Sequence, residues 1–260
     1  MLSQYEQSDH KFNNKIISFF NNVVFRNEII LTDFLDPGQI AMLKAIAGTE
    51  IYVQEYGGYN RAEKRRLYLT PKKSKRSIFD FQIAICQINY PSKFAQLNHS
   101  MILGTLANAG VETDTFGDII TDGNGNWQFM VKKELLPFFE KEINRIGQTK
   151  VEIKSVKLSQ VLLPKDNSKE VVIITSSLRI DAVLSGISGH SRRQMKDAFA
   201  NNLIKLNWHY VIDSNIIVKK DDILSLRFFG RSQILDILIT RKGKYKVVLK
   251  LWQTKKHRRN

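Results

Sequence analysis

Between residues 11 and 24 apolar side chains return at helical spacing, with Phe12, Ile16, Phe19, Phe20 and Val23 on one face. Asp36-Pro37 followed by Ile40, Leu43, Ala47 and Gly48 predicts a second helix with a cap, a proline in its first turn and a glycine stop. Residues 50–56 and 66–70 alternate like strands, joined by Gly57-Gly58-Tyr59-Asn60 and a basic segment, and Pro71-Lys72-Lys73-Ser74-Lys75-Arg76 reads as a linker. Further on, the pattern predicts a buried strand over 80–90, a helix over 94–109 stopped by Gly110, a hairpin from 116–121 and 127–131, a helix over 134–146 and a strand over 151–156.

The order of that middle stretch, β-α-β-β-α-β, is the split βαβ pattern of ferredoxin-like domains, which RNA-recognition folds also use. The topology serves many unrelated purposes, and the Lys/Arg-Gly-Phe strand signature that stacks bases is absent, so the pattern points to RNA by analogy alone. After a loop over 164–169 and a strand over 171–174, Ile180, Val183, Leu184 and Ile187 fall on one helical face, leaving Arg179 off it and pointing outward. Ser191 caps the next helix. Met195, Ala198 and Phe199 form its buried side, which leaves Arg192, Arg193 and Lys196 on the exposed one. The expected architecture is α+β in three parts. Residues 1–76 form an N-terminal region of helices plus a β-hairpin, residues 77–160 a ferredoxin-like domain resembling RNA-recognition folds, and residues 178–260 an α/β domain with a C-terminal hairpin and a basic tail.

Charge then narrows the partners. The 260 residues hold 40 Lys+Arg against 25 Asp+Glu, a formal net charge of +15. From residue 178 onward there are 18 basic and 6 acidic residues, while eight basic residues and one acid fall in 61–76; the remainder is slightly acidic. Charge so concentrated favours a polyanionic partner, nucleic acid or an anionic membrane surface. Two arginines in the first turn of the Ser191 helix sit against the positive end of its dipole, which disfavours them unless an anion is bound there.

The single cysteine, Cys86, lies in an apolar run and reads as core packing; it permits no intrachain disulfide and no cysteine-based metal site. The first thirty residues lack the apolar core of a signal peptide, and no segment approaches about 18 uncharged apolar residues, so a cytoplasmic protein without membrane insertion is expected.

Several positions after residue 178 agree in order and spacing with a known domain. Arg179-Ile180-Asp181 with Leu184, Ser191-Arg192-Arg193-Gln194 with Lys196, Ile204-Lys205-Leu206-Asn207, and Val218-Lys219-Lys220-Asp221-Asp222-Ile223-Leu224 together resemble the S4 RNA-binding domain. The resemblance implies that Arg179, Ser191, Arg192, Arg193, Gln194, Lys196, Lys205 and Asn207 contact structured RNA, with Trp208, standing where that domain often has glycine, free to stack on a base or sugar. Over the whole chain, the block Tyr56-Gly57-Gly58-Tyr59-Asn60-Arg61-Ala62-Glu63-Lys64-Arg65-Arg66 and the run Glu112-Thr113-Asp114-Thr115-Phe116-Gly117-Asp118 resemble the YlmH family. That resemblance implies a monomeric, non-enzymatic bacterial factor on the large ribosomal subunit. It would hold rRNA and peptidyl-tRNA through its S4 domain while alanine tails are added to stalled nascent chains. Arg61, Lys64, Arg65 and Arg66 would make secondary RNA contacts.

Other motifs carry less. Asp122-Gly123-Asn124-Gly125-Asn126 starts like a calcium loop, but Trp127 and Lys133 stand where glycine and glutamate belong, so a hairpin turn is expected. Arg179-Ile180-Asp181 resembles the catalytic triplet of pseudouridine synthases, yet Leu178 precedes it and a single small domain remains around it. The histidines show no ligand spacing and no phosphate-binding glycine loop exists, so no metal, cofactor or small-molecule substrate is expected. The rivals to an RNA-binding factor are an RNA-modifying enzyme that uses the S4 domain for delivery, and a membrane-surface protein with a role in cell division, drawn to anionic lipid by Lys255-Lys256-His257-Arg258-Arg259.

Overall fold

The apolar stripe of the first helix is buried, as its spacing requires. A computed structural model of the protein describes residues 4–72 and 77–253, and in it α1 (Gln4–Arg26) sets Ile16 and Val23 into a core with Leu35, Leu67 and Leu69. The chain forms a mixed α/β fold whose contacts divide it into two units, Asp9–Lys165 and the part from Asp166 onward.

In the first unit, β1 (Ile30–Leu31) leads to α2 (Pro37–Ala47), which starts as predicted: Asp36 accepts from the Gln39 amide at 2.9 Å, the Gln39 side chain accepts from the Asp36 amide at 3.0 Å, and Pro37 opens the helix. Strands β2 (Tyr52–Tyr56) and β3 (Arg66–Thr70) then pair antiparallel, and β3 lies between β1 and β2. Most of the stretch expected as a linker, residues 73–76, lies outside the described residues; after it come β4 (Ile83–Asn89), α3 (His99–Ala107), β5 (Phe116–Thr121), β6 (Trp127–Lys132), α4 (Leu136–Glu142), the short hairpin of β7 (Arg145–Ile146) and β8 (Thr149–Lys150), and β9 (Glu152–Val156). Four of these form an antiparallel sheet in the order β5-β6-β4-β9. The sheet and the two helices enclose Cys86, Ile102, Leu106, Phe116, Phe129 and Phe139. Burial pushes the Cys86 thiol up to about 12, with Glu140 adding to the shift, so it is inert packing.

Both helices are shorter than the sequence predicts. Asn98 caps α3 by accepting from the Met101 amide at 3.0 Å, and the expected first residue, Phe94, sits in a turn on Pro91 with its side chain 91% exposed. The predicted helix over 134–146 ends at Glu142, because Gly147 turns left-handed (φ 59°) and folds Ile146 back into the core as a strand. The Asp122 loop is the expected hairpin turn, its carboxylate accepting from the Asn124 and Asn126 amides and the Asn126 side chain.

Within this unit, contacts tie the elements before residue 72 to the β4–β9 sheet. Phe34 joins Ile120 and Met130 in a shared cluster with Tyr59 and Ile83, and the Phe34 amide donates to Asp114 O at 2.9 Å. Asp33 accepts from Lys15 Nζ at 2.7 Å and Lys132 Nζ at 2.9 Å. Burial raises the Asp33 carboxyl, but the two ammonium groups outweigh it and leave it below its ordinary value. A carboxylate with a depressed folded pKa contributes stability above the unfolded value, about 4, and loses it as pH falls through the folded one. The melting temperature is therefore expected to fall more steeply below about pH 4 in the wild-type protein than in Asp33→Asn; parallel pH curves would remove the carboxylate from that role.

The second unit begins with β10 (Lys169–Thr175), α5 (Ile180–Ser188), α6 (Arg192–Ala200), β11 (Ile204–Leu206), β12 (His209–Tyr210), β13 (Ile223–Leu226), β14 (Gly230–Ile239) and β15 (Tyr245–Gln253). Its six strands order as β10-β15-β14-β13-β11-β12, all antiparallel. Helices α5 and α6 pack Ile180, Val183, Leu184, Met195 and Phe199 onto Ile173, Ile234, Val247 and Leu249 of the sheet. No helix among the described residues is long and apolar enough to cross a membrane.

Candidate nucleic-acid interface

Burial of Met195, Ala198 and Phe199 fixes the rotation of α6, so Arg192, Arg193, Gln194 and Lys196 stand on its exposed side. The helix starts with a complete capping box. The Gln194 amide donates to Ser191 Oγ at 3.2 Å, and the Ser191 amide donates to Gln194 Oε1 at 2.8 Å. The Ser191 carbonyl receives the Met195 amide at 3.0 Å. The amides of Arg192 and Arg193, the first two of the helix, meet no acceptor among the described residues, and neither guanidinium nor the Lys196 ammonium has an ion-pair partner among them. Two N–H groups without acceptors and the cations Arg192 and Arg193 stand at the positive end of α6, with Lys196 one turn on along the same face, and form a candidate anion site. Gly189, left-handed at φ 71°, ends α5 and brings the chain round to this cap, and Ser185 Oγ holds the loop by donating to His190 O at 2.5 Å.

Arg179 differs from the expectation of a free outward side chain. It is the residue that caps α5, and its guanidinium meets Asp181 two-pronged, Nε to Oδ1 at 3.1 Å and a terminal nitrogen to Oδ2 at 3.0 Å. The carboxylate is nearly buried at 11% exposure, while the Arg179 side chain keeps 37%. Asp181 Oδ1 also accepts from the Ala182 amide at 2.8 Å, so both of its oxygens are engaged in orienting the arginine and the helix start. A guanidinium has five donors, and the pair uses two of them.

Asn207 and Trp208 form the two-residue turn between β11 and β12, with Leu206 opposite His209 and both turn residues at positive φ (49° and 70°), the geometry that suits a tight hairpin. The Asn207 side chain does not reach outward as the resemblance implies. Its Nδ2 donates to Asp222 Oδ1 and its Oδ1 accepts from the Ile223 amide, both at 2.9 Å. It fastens the hairpin to the turn before β13, where Asp222 Oδ2 accepts from the Lys219 amide at 2.7 Å. Trp208 is half-buried. Lys205 places its ammonium 4.3 Å from the centre of the Tyr210 ring on the paired strand. Lys219 and Lys220 are exposed beside that turn.

Of the four residues in the secondary cluster at 61–66, three are engaged within the fold. Arg66 is 6% exposed and donates to the carbonyls of Thr32, Phe81 and Gln82 at 2.8–3.0 Å. Arg65 donates from Nε to Ala62 O at 2.6 Å and pairs with Glu55 at 2.5 Å. Lys64 donates to the carbonyls of Thr113 and Phe116 at 3.0 and 3.2 Å, and burial holds its ammonium below the usual lysine range against the pull of Asp118, Asp36 and Asp114. These side chains hold the fold; Arg61, at φ 66°, is exposed. The basic residues 73–76 and 255–259 lie outside the described residues.

Asp118 joins the two distant sequence blocks, 56–66 and 112–118. Its carboxylate accepts from Tyr59 Oη at 2.8 Å, the Glu63 amide at 2.7 Å and the Lys64 amide at 3.0 Å. Burial pushes this carboxyl up against the pull of its three donors, and burial with the Asp118 charge pushes the Tyr59 hydroxyl up too.

Residues 77–160 match a family model described as "Putative RNA-binding domain in YlmH". The chain is 30% identical to the ribosome-associated protein quality control protein P2 of Bacillus subtilis (strain 168) over 249 residues, covering 95% of this chain and 96% of that protein. Among solved structures it is similar to the cell division protein ylmH from Streptococcus pneumoniae, at 28% identity and a TM-score of 0.50, over 62% of this chain and 98% of that one.

Proposed function

Because the chain belongs to the YlmH family, we propose that it is a non-enzymatic, cytoplasmic RNA-binding factor of ribosome-associated quality control that docks on the large ribosomal subunit. The observation that carries this reading is the triad without ion-pair partners among the described residues, Arg192 and Arg193 at the start of α6 beside two amides without acceptors and Lys196 one turn on along the same face. We read the second unit as an S4-type domain. The paired helices α5 and α6, the tight Asn207-Trp208 hairpin and the basic Lys219-Lys220 turn support that, and rRNA or peptidyl-tRNA phosphates are the anions such a surface would take. The sheet order β5-β6-β4-β9 follows from a split βαβ connection and supports a ferredoxin-like reading of residues 77–160. Support of alanine tailing on stalled chains, and action as a monomer, complete the proposal.

Asp181, the one carboxylate that a modifying enzyme would need here, is engaged by Arg179 on both oxygens, which favours the non-enzymatic reading. The lipid-surface alternative rests on residues 255–259, outside the described part. Three phosphates neutralised by the triad predict that binding to purified large subunits falls about 40-fold between ~0.05 and ~0.2 M monovalent salt. Co-sedimentation indifferent to salt over that span would overturn the proposal.

A further inference from the structure

The turn between β13 and β14 holds a residue that neither packing nor turn chemistry explains. Phe228 has φ 68°, a left-handed backbone that bulky side chains rarely adopt, and yet it is 76% exposed. The other left-handed residues of this unit are short polar side chains or glycine, apart from Trp208. A phenylalanine in this conformation gives up backbone stability and, being exposed, recovers little of it by burial. Its neighbours hold it out. Phe229 is buried at 8%, and the next residue, Gly230, runs so close to β15 that a Cβ there would lie 2.2 Å from Trp252 O. Arg227 lies with its guanidinium carbon 5.1 Å from the centre of the Phe228 ring. An exposed cation–π contact is weak and does not account for the strained backbone.

The position of this turn supplies the account. Phe229 meets the His190 ring edge-on, with centroids 6.3 Å apart, and His190 directly precedes the cap Ser191 of α6. The turn that carries Phe228 is thus fixed, through its buried neighbour Phe229, to the segment leading into the Arg192-Arg193 helix. A phosphate site with an exposed aromatic ring on a neighbouring turn fits a nucleotide whose base has left its stack, because stacking needs a free base face that a continuous duplex does not offer.

We infer that Phe228 is a stacking platform for an unpaired base, so that this surface selects folded RNA with an extruded or bulged nucleotide next to the contacted phosphates. The inference rests on the RNA-binding reading of α6, and the test separates the two. The full chain is titrated with two RNA hairpins at matched salt, one fully paired and one carrying a single bulged adenosine. The wild-type protein binds the bulged hairpin roughly tenfold more tightly, the scale of one base–aromatic stack. Phe228→Gly, which suits the left-handed backbone and keeps or raises the melting temperature, loses that preference without weakening binding to the paired hairpin. Phe228→Trp retains it. Equal wild-type affinity for the two hairpins, or a preference that survives Phe228→Gly, overturns the stacking role. If neither hairpin is bound, or if alanine at Arg192 and Arg193 leaves binding to the paired hairpin unchanged, the failure lies instead with the RNA-binding reading itself.

Discussion

Replacing Arg192 and Arg193 together by alanine is expected to weaken binding to large ribosomal subunits roughly 100-fold near ~0.1 M salt, while the fold is kept. Charge-assisted hydrogen bonds are worth about 1.5–3 kcal/mol each, so two lost phosphate contacts amount to about 3 kcal/mol or more. The salt dependence should flatten as well, by about 0.9 in the log–log slope for each phosphate no longer neutralised. Stability should not suffer. Both side chains are exposed, neither has an ion-pair partner among the described residues, and alanine is at least as good a helix former. Removing cations from the positive end of a helix relieves a small electrostatic conflict. Sedimentation with subunits at several salt concentrations, beside a thermal melt, reads both outcomes. Binding and slope equal to wild type would leave the cationic helix start without a role and remove the main support for the proposed function.

The second large effect concerns stability. Asp118→Ala should cost about 2–3 kcal/mol, because it leaves the half-buried Tyr59 hydroxyl and Lys64 amide without their acceptor, while the exposed Glu63 amide can turn to water. It also unties the loop that Lys64 braces from the other side through the carbonyls of Thr113 and Phe116. Space there is tight, since a Cβ on Gly117 would come within 2.8 Å of the Phe34 ring, so the loop has little room to relax. Asp118→Asn should fall between, keeping an acceptor oxygen but turning an amide toward groups that donate. Urea unfolding of the three proteins gives the order directly, and a loss under ~1 kcal/mol for the alanine variant would show that the carboxylate is not what joins the two blocks.

Much of the fold is legible in the chain because its signals are local. The box of Asp36 and Gln39 and the one of Ser191 and Gln194 each satisfy free amides within three residues, so a helix start can be read without knowing its neighbours. The hairpins and the buried strands follow from alternation in the same way. The two middle helices are shorter than their apolar patterns predict: α3 starts at the local cap Asn98, while beyond α4 Ile146 joins Phe116, Phe129 and Val151 in the core, a place its own neighbours in sequence do not announce.

The candidate site divides along the same line. Which face of α6 carries Arg192, Arg193 and Lys196 follows from the spacing of Met195, Ala198 and Phe199, and that much the order of residues determined by itself. Whether a basic residue is free was decided only in three dimensions, because charge is a property of the residue while its partner comes from elsewhere in the chain. Arg66 reaches carbonyls from residues 32, 81 and 82, Arg65 meets Glu55, and Asn207 spends its side chain on Asp222 and Ile223. Phe228 obeys the same rule: a phenylalanine suggests core, and only the backbone angle and the lack of cover mark it as an exposed ring.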